Sequence, residues 1–147
     1  MATLDDVRRM VAGDKGLATV SVMRDDGSIH STVVNGGVLA HPITSHDVVG
    51  VVVRGNAHKL RLMRRRGRAS VTFRNGWAWA GVEGPLDIVG PDDPHDGIDP
   101  EGLRLLLQEV FRAAGGTHED YEEYDRVMAE ERRTVVLITP ERILGVG

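Results

Sequence analysis

Apolar residues recur along this chain in two periods, and the switches between them lay out its elements. Leu4, Val7, Met10 and Val11 fall on one face of a short helix, which Gly13 and Gly16 end. Residues 17–23 form a strand rich in β-branched side chains, and Asp25-Asp26-Gly27 is a hairpin signal. A second strand covers 29–39, where Gly36-Gly37 marks a bulge or a close backbone approach. A loop from His41 and Pro42 to Ser45 leads to an apolar third strand over 48–53. Gly55, followed by Asn56 as N-cap, opens a helix over about 57–66. Strands follow over 69–73 and 77–89, joined by Asn75-Gly76, the strongest hairpin signal in the chain. Gly81 and Gly84 interrupt the second of them. A polar Pro/Gly loop spans 90–100. Leu103, Leu106, Leu107, Val110 and Phe111 have helical spacing, and Gly115-Gly116 breaks that helix. An acidic helix near 120–131 and closing strands over 134–138 and 142–146 complete the pattern.

About seven strands joined largely by tight turns predict an antiparallel barrel, a mainly β fold with helices at its ends (α+β). Parallel βαβ alternation fits poorly. At 147 residues the expectation is a single domain over 1–147. Burial of roughly 70% of the unfolded surface makes staples unnecessary at this size. The chain has no Cys, which excludes thiolate nucleophiles, Cys-ligated zinc, iron–sulfur clusters and disulfides. No secretory signal and no apolar run near the ~18 residues of a membrane helix can be read, so a cytoplasmic protein with no membrane partner is expected.

Charge changes the picture more than composition does. The net charge of −4 conceals a segregation. Residues 48–82 contain no acid but hold Arg54, Lys59, Arg61, Arg64, Arg65, Arg66, Arg68 and Arg74. Thirteen acids fall within 92–131. Lys15 and Lys59 are the only two lysines, against 16 arginines. With Asn56 as cap, Lys59 stands at the third helical position, where a cation opposes the macrodipole. A scarce Lys at such a position points to an external anion at the helix N-terminus; the competing reading is a tolerated surface Lys. Arg64, Arg65 and Arg66, in the last turn, read as solvated charge complementing the dipole. A nucleic-acid face would want interleaved aromatics, which residues 54–68 lack, so no nucleic-acid partner is expected.

Trp77 and Trp79, two apart on a strand, share one face, either as core or dimer packing or as a wall for a planar ring. The six histidines show no HExxH and no close metal spacing, so no metal site is expected. There is no GxSxG, P-loop or GxGxxG, and no nucleophile with an ordered base, so the catalytic residues stay unassigned. An enzyme without acid–base machinery needs a cofactor to supply the reactive atom.

Several fragments taken in order carry a resemblance: Asp26-Gly27, then Lys59-Leu60-Arg61, Arg64, Arg65 and Arg68-Ala69-Ser70. Asn75-Gly76-Trp77, Val82-Glu83-Gly84, Asp120-Tyr121, Arg132-Arg133 and Ile143-Leu144-Gly145 follow. The sequence resembles the pyridoxamine 5'-phosphate oxidase-like split β-barrel superfamily, and within it the actinobacterial branch that binds the deazaflavin coenzyme F420 rather than FMN. The resemblance implies a homodimer with two cofactor sites at the subunit interface. It implies that Lys59 contacts the phosphate and acidic tail, with Arg61 as a basic neighbour. His30, Thr32 and Asn35 on the second strand, and Val52 to Arg54 on the third, would lie along the ring and linker. Trp77 would be a ring-proximal aromatic. Ala57 stands where relatives often carry Arg, with Arg54 or His58 as substitutes, and Asn56 belongs to the same turn. The implied activity is F420-dependent hydride transfer to a conjugated or planar small molecule. An FMN flavoprotein, or a non-catalytic cofactor- or haem-binding protein, is the alternative.

Overall fold

The computed structural model describes residues 1–146. Elements run in the order α1 (Leu4–Gly13), β1 (Leu17–Met23), β2 (Ile29–Ala40), β3 (Asp47–Val53), α2 (His58–Arg66), β4 (Arg68–Asn75), β5 (Ala78–Val89), α3 (Pro100–Ala113), α4 (Tyr121–Glu130), β6 (Thr134–Ile138) and β7 (Arg142–Val146). All strand pairings are antiparallel. Strands β4-β1-β2-β3-β6-β5 lie side by side, and a β4–β5 ladder closes them into a six-stranded barrel. Strand β7 is added outside this ring on β5.

The barrel is split because its two 12-residue strands change partners midway. Strand β2 pairs with β1 through Asn35 and with β3 from Gly36 onward. Strand β5 pairs with β4 through Pro85 and with β6 from Leu86 onward. Glycines sit at both changes because a side chain has no room there. A Cβ on Gly36 would lie 2.8 Å from the Gly50 carbonyl oxygen, and one on Gly84 would overlap the Thr139 carbonyl oxygen. Beside Gly84, β6 and β7 follow the same edge of β5 as one bulged track. Between the pairs Ile138–Leu86 and Arg142–Glu83 the track advances four residues against three on β5.

Alternation in the strands buries one face. Val20, Val22, Val71, Phe73 and Val82 fill one half of the barrel, together with Leu60 and Met63 of α2. The other half packs Val48, Val135 and Leu137 against Leu106, Val110 and Tyr124 of the α3–α4 pair. The expected fold is observed, with two local corrections. Helix α2 is capped by Ala57, not Asn56, with no side-chain bond at the cap, so Lys59 stands at the second helical position. Trp77 lies in the β4–β5 turn rather than on a strand, so it does not share a strand face with Trp79. The hairpin closes on the Asn75–Ala78 pair, so its two-residue turn is Gly76-Trp77, with Gly76 at φ 65°, one residue later than the Asn75-Gly76 signal.

Gly84→Ala is expected to lower the free energy of unfolding by about 1–3 kcal/mol, as overpacking against backbone does. Arg65→Ala, in an exposed ion pair, should change it by less than ~0.5 kcal/mol. Equal urea midpoints for the two would show that the partner change on β5 accommodates a side chain without strain.

Candidate functional site

Between β2, β3 and the α3–α4 connection lies a cavity of about 840 Å³, within the roughly 300–1,000 Å³ usual for small-molecule sites. Its body is apolar: Val33, Val52, Val110, Phe111 and Met128 line it. Lys15, Arg54, Lys59 and Arg133 also line it, and no lining residue is an acid or a histidine. An apolar pocket with this charge takes a ligand that is planar or greasy at one end and anionic at the other.

The cations are brought together by backbone contacts. Gly55, between β3 and α2, donates its N–H to the Glu131 carbonyl oxygen (3.3 Å), and a Cβ there would lie 2.6 Å from the Arg132 carbonyl oxygen. This approach lets Glu131 receive both Arg54 (3.1 Å) and Arg133 (3.0 Å). Lys59 is near enough to Arg133 to feel its charge. Its ammonium is held below the usual lysine range, by burial first and by repulsion from Arg133 second. No carboxylate pairs with Lys59 or Lys15 among the described residues. Lys15 has a left-handed backbone (φ 54°), unusual for a residue with a Cβ, and its carbonyl oxygen accepts from Asn35 Nδ2 (3.1 Å).

The far wall is the α3–α4 hairpin. Tyr124 donates its hydroxyl to the Leu107 carbonyl oxygen (3.1 Å), and burial pushes that hydroxyl up to about 12. Gly115 turns the chain with φ 93°, and Gly116 lies so close to the Phe111 ring that any side chain would strike it.

Of the residues expected at a cofactor site, Asn35, Val52, Arg54 and Lys59 line this cavity. His30 and Thr32 do not; they lie on the opposite face of β2 from Val33 and Asn35. The Thr32 hydroxyl is buried without a partner among the described residues. Asn56 and Arg61 lie outside the cavity, and Trp77 stands 98% exposed at the hairpin tip. The loop from Pro42 to His46 packs toward the 90–100 loop, with Ile43 against Gly97. Sequence reasoning missed Lys15 and Arg133. The scarcity that singled out Lys59 applies equally to Lys15, whereas Arg133 entered only through the Arg132-Arg133 fragment of the resemblance, with no role attached to it.

Four other arginines of the acid-free stretch are paired with carboxylates, whereas Arg61 reaches His58 and Arg74 the Gly76 carbonyl oxygen. Arg64 binds Asp93 through two nitrogens (2.9 and 2.6 Å), Arg65 and Arg66 both reach Asp25, and Arg68 reaches Glu141. These pairs spend charge that a nucleic-acid face would need.

One cluster has metal-like composition: His41, Asp87 and His95 bring ligand atoms within 4.8 Å of one another. The bonding of His41 opposes coordination. Its Nδ1 faces the N–H groups of Ile43 (3.1 Å) and Thr44 (3.4 Å), so it is the accepting nitrogen. Nε2 then carries the proton and donates to Asp87 Oδ2 (2.9 Å). A metal on Nε2 would need the opposite tautomer and the loss of both backbone bonds.

No family model matches the chain. Its fold does match solved structures. A conserved hypothetical protein, Rv2991, from Mycobacterium tuberculosis is 18% identical, with a TM-score of 0.66 over 99% of this chain and 84% of that one. A pyridoxamine 5'-phosphate oxidase-related, FMN binding protein from Nostoc punctiforme is 12% identical, with a TM-score of 0.68 over 96% and 79%. A protein described as an F420 reductase is 11% identical, with a TM-score of 0.60 over 91% and 93%. The chain therefore has the split-barrel fold of pyridoxamine-phosphate-oxidase-like proteins.

Added zinc is expected to leave the thermal midpoint unchanged. A rise that His95→Ala abolishes would show instead that His41 gives up its backbone bonds to coordinate.

Proposed function

We propose that this chain is a reductase dependent on the deazaflavin F420, of the actinobacterial type its sequence resembles, acting on a conjugated or planar small molecule. The observation that carries the reading is the cavity lined by four cations and no acid. Glu131 already pairs with Arg54 and Arg133, whereas Lys59 and Lys15, on separate elements, have no carboxylate partner among the described residues, and a phosphate with an acidic tail offers an anion to each. FMN is the second reading, favoured by the FMN binding protein that shares the fold. Haem fits less well: no lining residue is a histidine, and Tyr124 has its hydroxyl committed to Leu107, which leaves Met128 as the candidate axial ligand.

In this reading Lys59, Arg54 and Arg133 hold the anionic groups, with the free N–H groups of the uncapped α2 N-terminus beside them. Lys15 supplies a further cation. Val52, Phe111 and Met128 grip the planar body and keep water from it. When bound, the reduced cofactor supplies a hydride, and the protein's part is to hold an acceptor against the ring.

The working unit is a homodimer. Across the outer face of the open half-sheet, register aligns Val33, Thr19, Thr72, Gly81 and Leu144 in one uncharged row over five strands. Val33 and Leu144 are 67% and 54% exposed. Val33 also lines the cavity, so a second copy on this row would close the cavity and give Trp77 a ring to meet. Thr72→Arg, placed centrally in the row, is expected to yield a monomer by light scattering. A dimer of unchanged mass would move the interface elsewhere.

A parallel titration with F420, FMN and haem tests the cofactor, with Trp77 and Trp79 fluorescence as readout. F420 is expected to bind and FMN to bind more weakly; tighter FMN binding would overturn the assignment. Lys59→Ala should weaken F420 binding by about tenfold or more, one lost charge contact, with little change in stability. Arg65→Ala should alter neither. Because the Lys59 ammonium is held low, affinity should fall with rising pH before the ordinary lysine range is reached. Lys59→Arg, whose charge does not titrate there, should flatten that fall.

A further inference from the structure

Glu131 follows the last residue of α4 and lies outside the cavity lining, yet it holds two of the four cations that line the cavity. Its backbone is fixed at both ends. Its carbonyl oxygen accepts from Gly55 (3.3 Å), and its N–H donates to the Val127 carbonyl oxygen (3.0 Å). The carboxylate gives one oxygen to each arginine, Oε2 to Arg54 and Oε1 to Arg133.

The two pairs differ in kind. Arg133 donates from Nε in an aligned hydrogen bond (3.0 Å), and its side chain is only 23% exposed. Arg54 comes within 3.1 Å of Oε2 through Nη2, and its side chain is 60% exposed. Its guanidinium makes no aligned hydrogen bond to Glu131 or to any other described residue, so charge alone holds it there. An exposed contact of this sort contributes little, whereas a guanidinium fork closed on two oxygens of one oxyanion is among the strong hydrogen-bonded pairs. Arg54 already lines the cavity, so passing from Glu131 to an anion inside requires only its side chain to turn. Glu131 has no second cation to take in exchange: Arg126 holds Glu123 and Glu130, and Arg132 holds Asp92. It keeps Arg133.

We propose that Glu131 is a specificity-determining residue of the cavity: in the free protein it stands in for the ligand's anion on Arg54, and it yields Arg54 to an oxyanion that closes the guanidinium fork. The inference rests on the reading above that the cavity holds an anion, and not on which cofactor brings it. Every oxyanion entering the cavity then binds against a carboxylate already in place. Affinity is therefore set below what the lining cations alone would give, and a ligand without an oxyanion gains nothing from Arg54.

The probe is phenyl phosphate, a planar apolar ring with one phosphoryl group, titrated by calorimetry into the unaltered protein, Glu131→Gln, Arg54→Gln and the double variant. Glu131→Gln keeps an oxygen for Arg133 and removes the charge. It is expected to bind phenyl phosphate about fivefold more tightly, with a gain that shrinks as salt is raised. Less than half of that gain should remain when Arg54 is already Gln. Phenol, the same ring without the anion, should bind all four proteins alike. Should Glu131→Gln fail to fold, Glu131→Asp carries the same test, because it draws the carboxylate back from Arg54 and should give a smaller gain of the same sign. If Glu131 only positions the arginines, its replacement weakens binding. That result overturns the proposal, as do an unchanged affinity, an equal gain without Arg54, and no binding of phenyl phosphate to any of the proteins. If phenyl phosphate follows the expected pattern and F420 does not bind, the cofactor assignment falls and the role of Glu131 stands. If F420 binds and Glu131→Gln leaves phenyl phosphate unchanged, the role of Glu131 falls alone.

Discussion

The arrangement depends on how closely bare backbone packs where β2 changes partners. A Cβ on Gly16 would lie 2.6 Å from the Gly36 carbonyl oxygen and 2.7 Å from that of Ala114, and one on Gly37 would overlap the Ala113 carbonyl oxygen. Gly16 and Gly37 therefore let the C-terminal end of α3 rest directly on the strand. That contact sets the depth of the cavity, because Phe111, Ala114 and the Gly115-Gly116 turn reach it from α3, while Val33 and Asn35 reach it from β2. Lys15, one residue before Gly16, is carried to the rim by the same approach. The entropic cost of glycine in the strand is offset by access that no other residue allows.

The second organising feature is a sorting of charge across the fold. The acid-free stretch would carry a large unscreened field if it stayed apart from the acidic segment. Folding brings Asp25, Asp93, Glu131 and Glu141 onto its arginines. Among the described residues, the cations left without a carboxylate are the two lysines at the cavity and Arg24, Arg61, Arg74 and Arg112. Exposed pairs of this kind contribute only ~0–1 kcal/mol each to stability. Their larger effect is to decide where an anion can bind.

Much of the barrel was legible in the sequence. Strands β6 and β7 have the expected bounds, because β-branched runs between turn residues leave little choice. Gly36-Gly37 signalled its close approach for the right reason. Helix capping was not legible: Asn56 is the better cap by propensity, but the Gly55 contact with the 131–132 turn places the helix start one residue later. Trp77 followed the strand pattern yet sits in the turn. The cavity could be read only in fragments, since its lining is drawn from β2, β3, α2, α3 and α4, and no periodicity relates Lys15 to Arg133. The His41–Asp87 bond, 46 residues apart in sequence, left no local trace at all.

A closed barrel has no strand edges, but this one carries a strand outside its ring. One side of β7 pairs with β5, and among the described residues no strand covers the other side. Its five residues offer only a short row of free backbone donors and acceptors, and Arg142 and Gly145 interrupt its apolar character. Closure thus protects the long strands, and brevity protects the remaining edge, so that intermolecular strand pairing has little to build on.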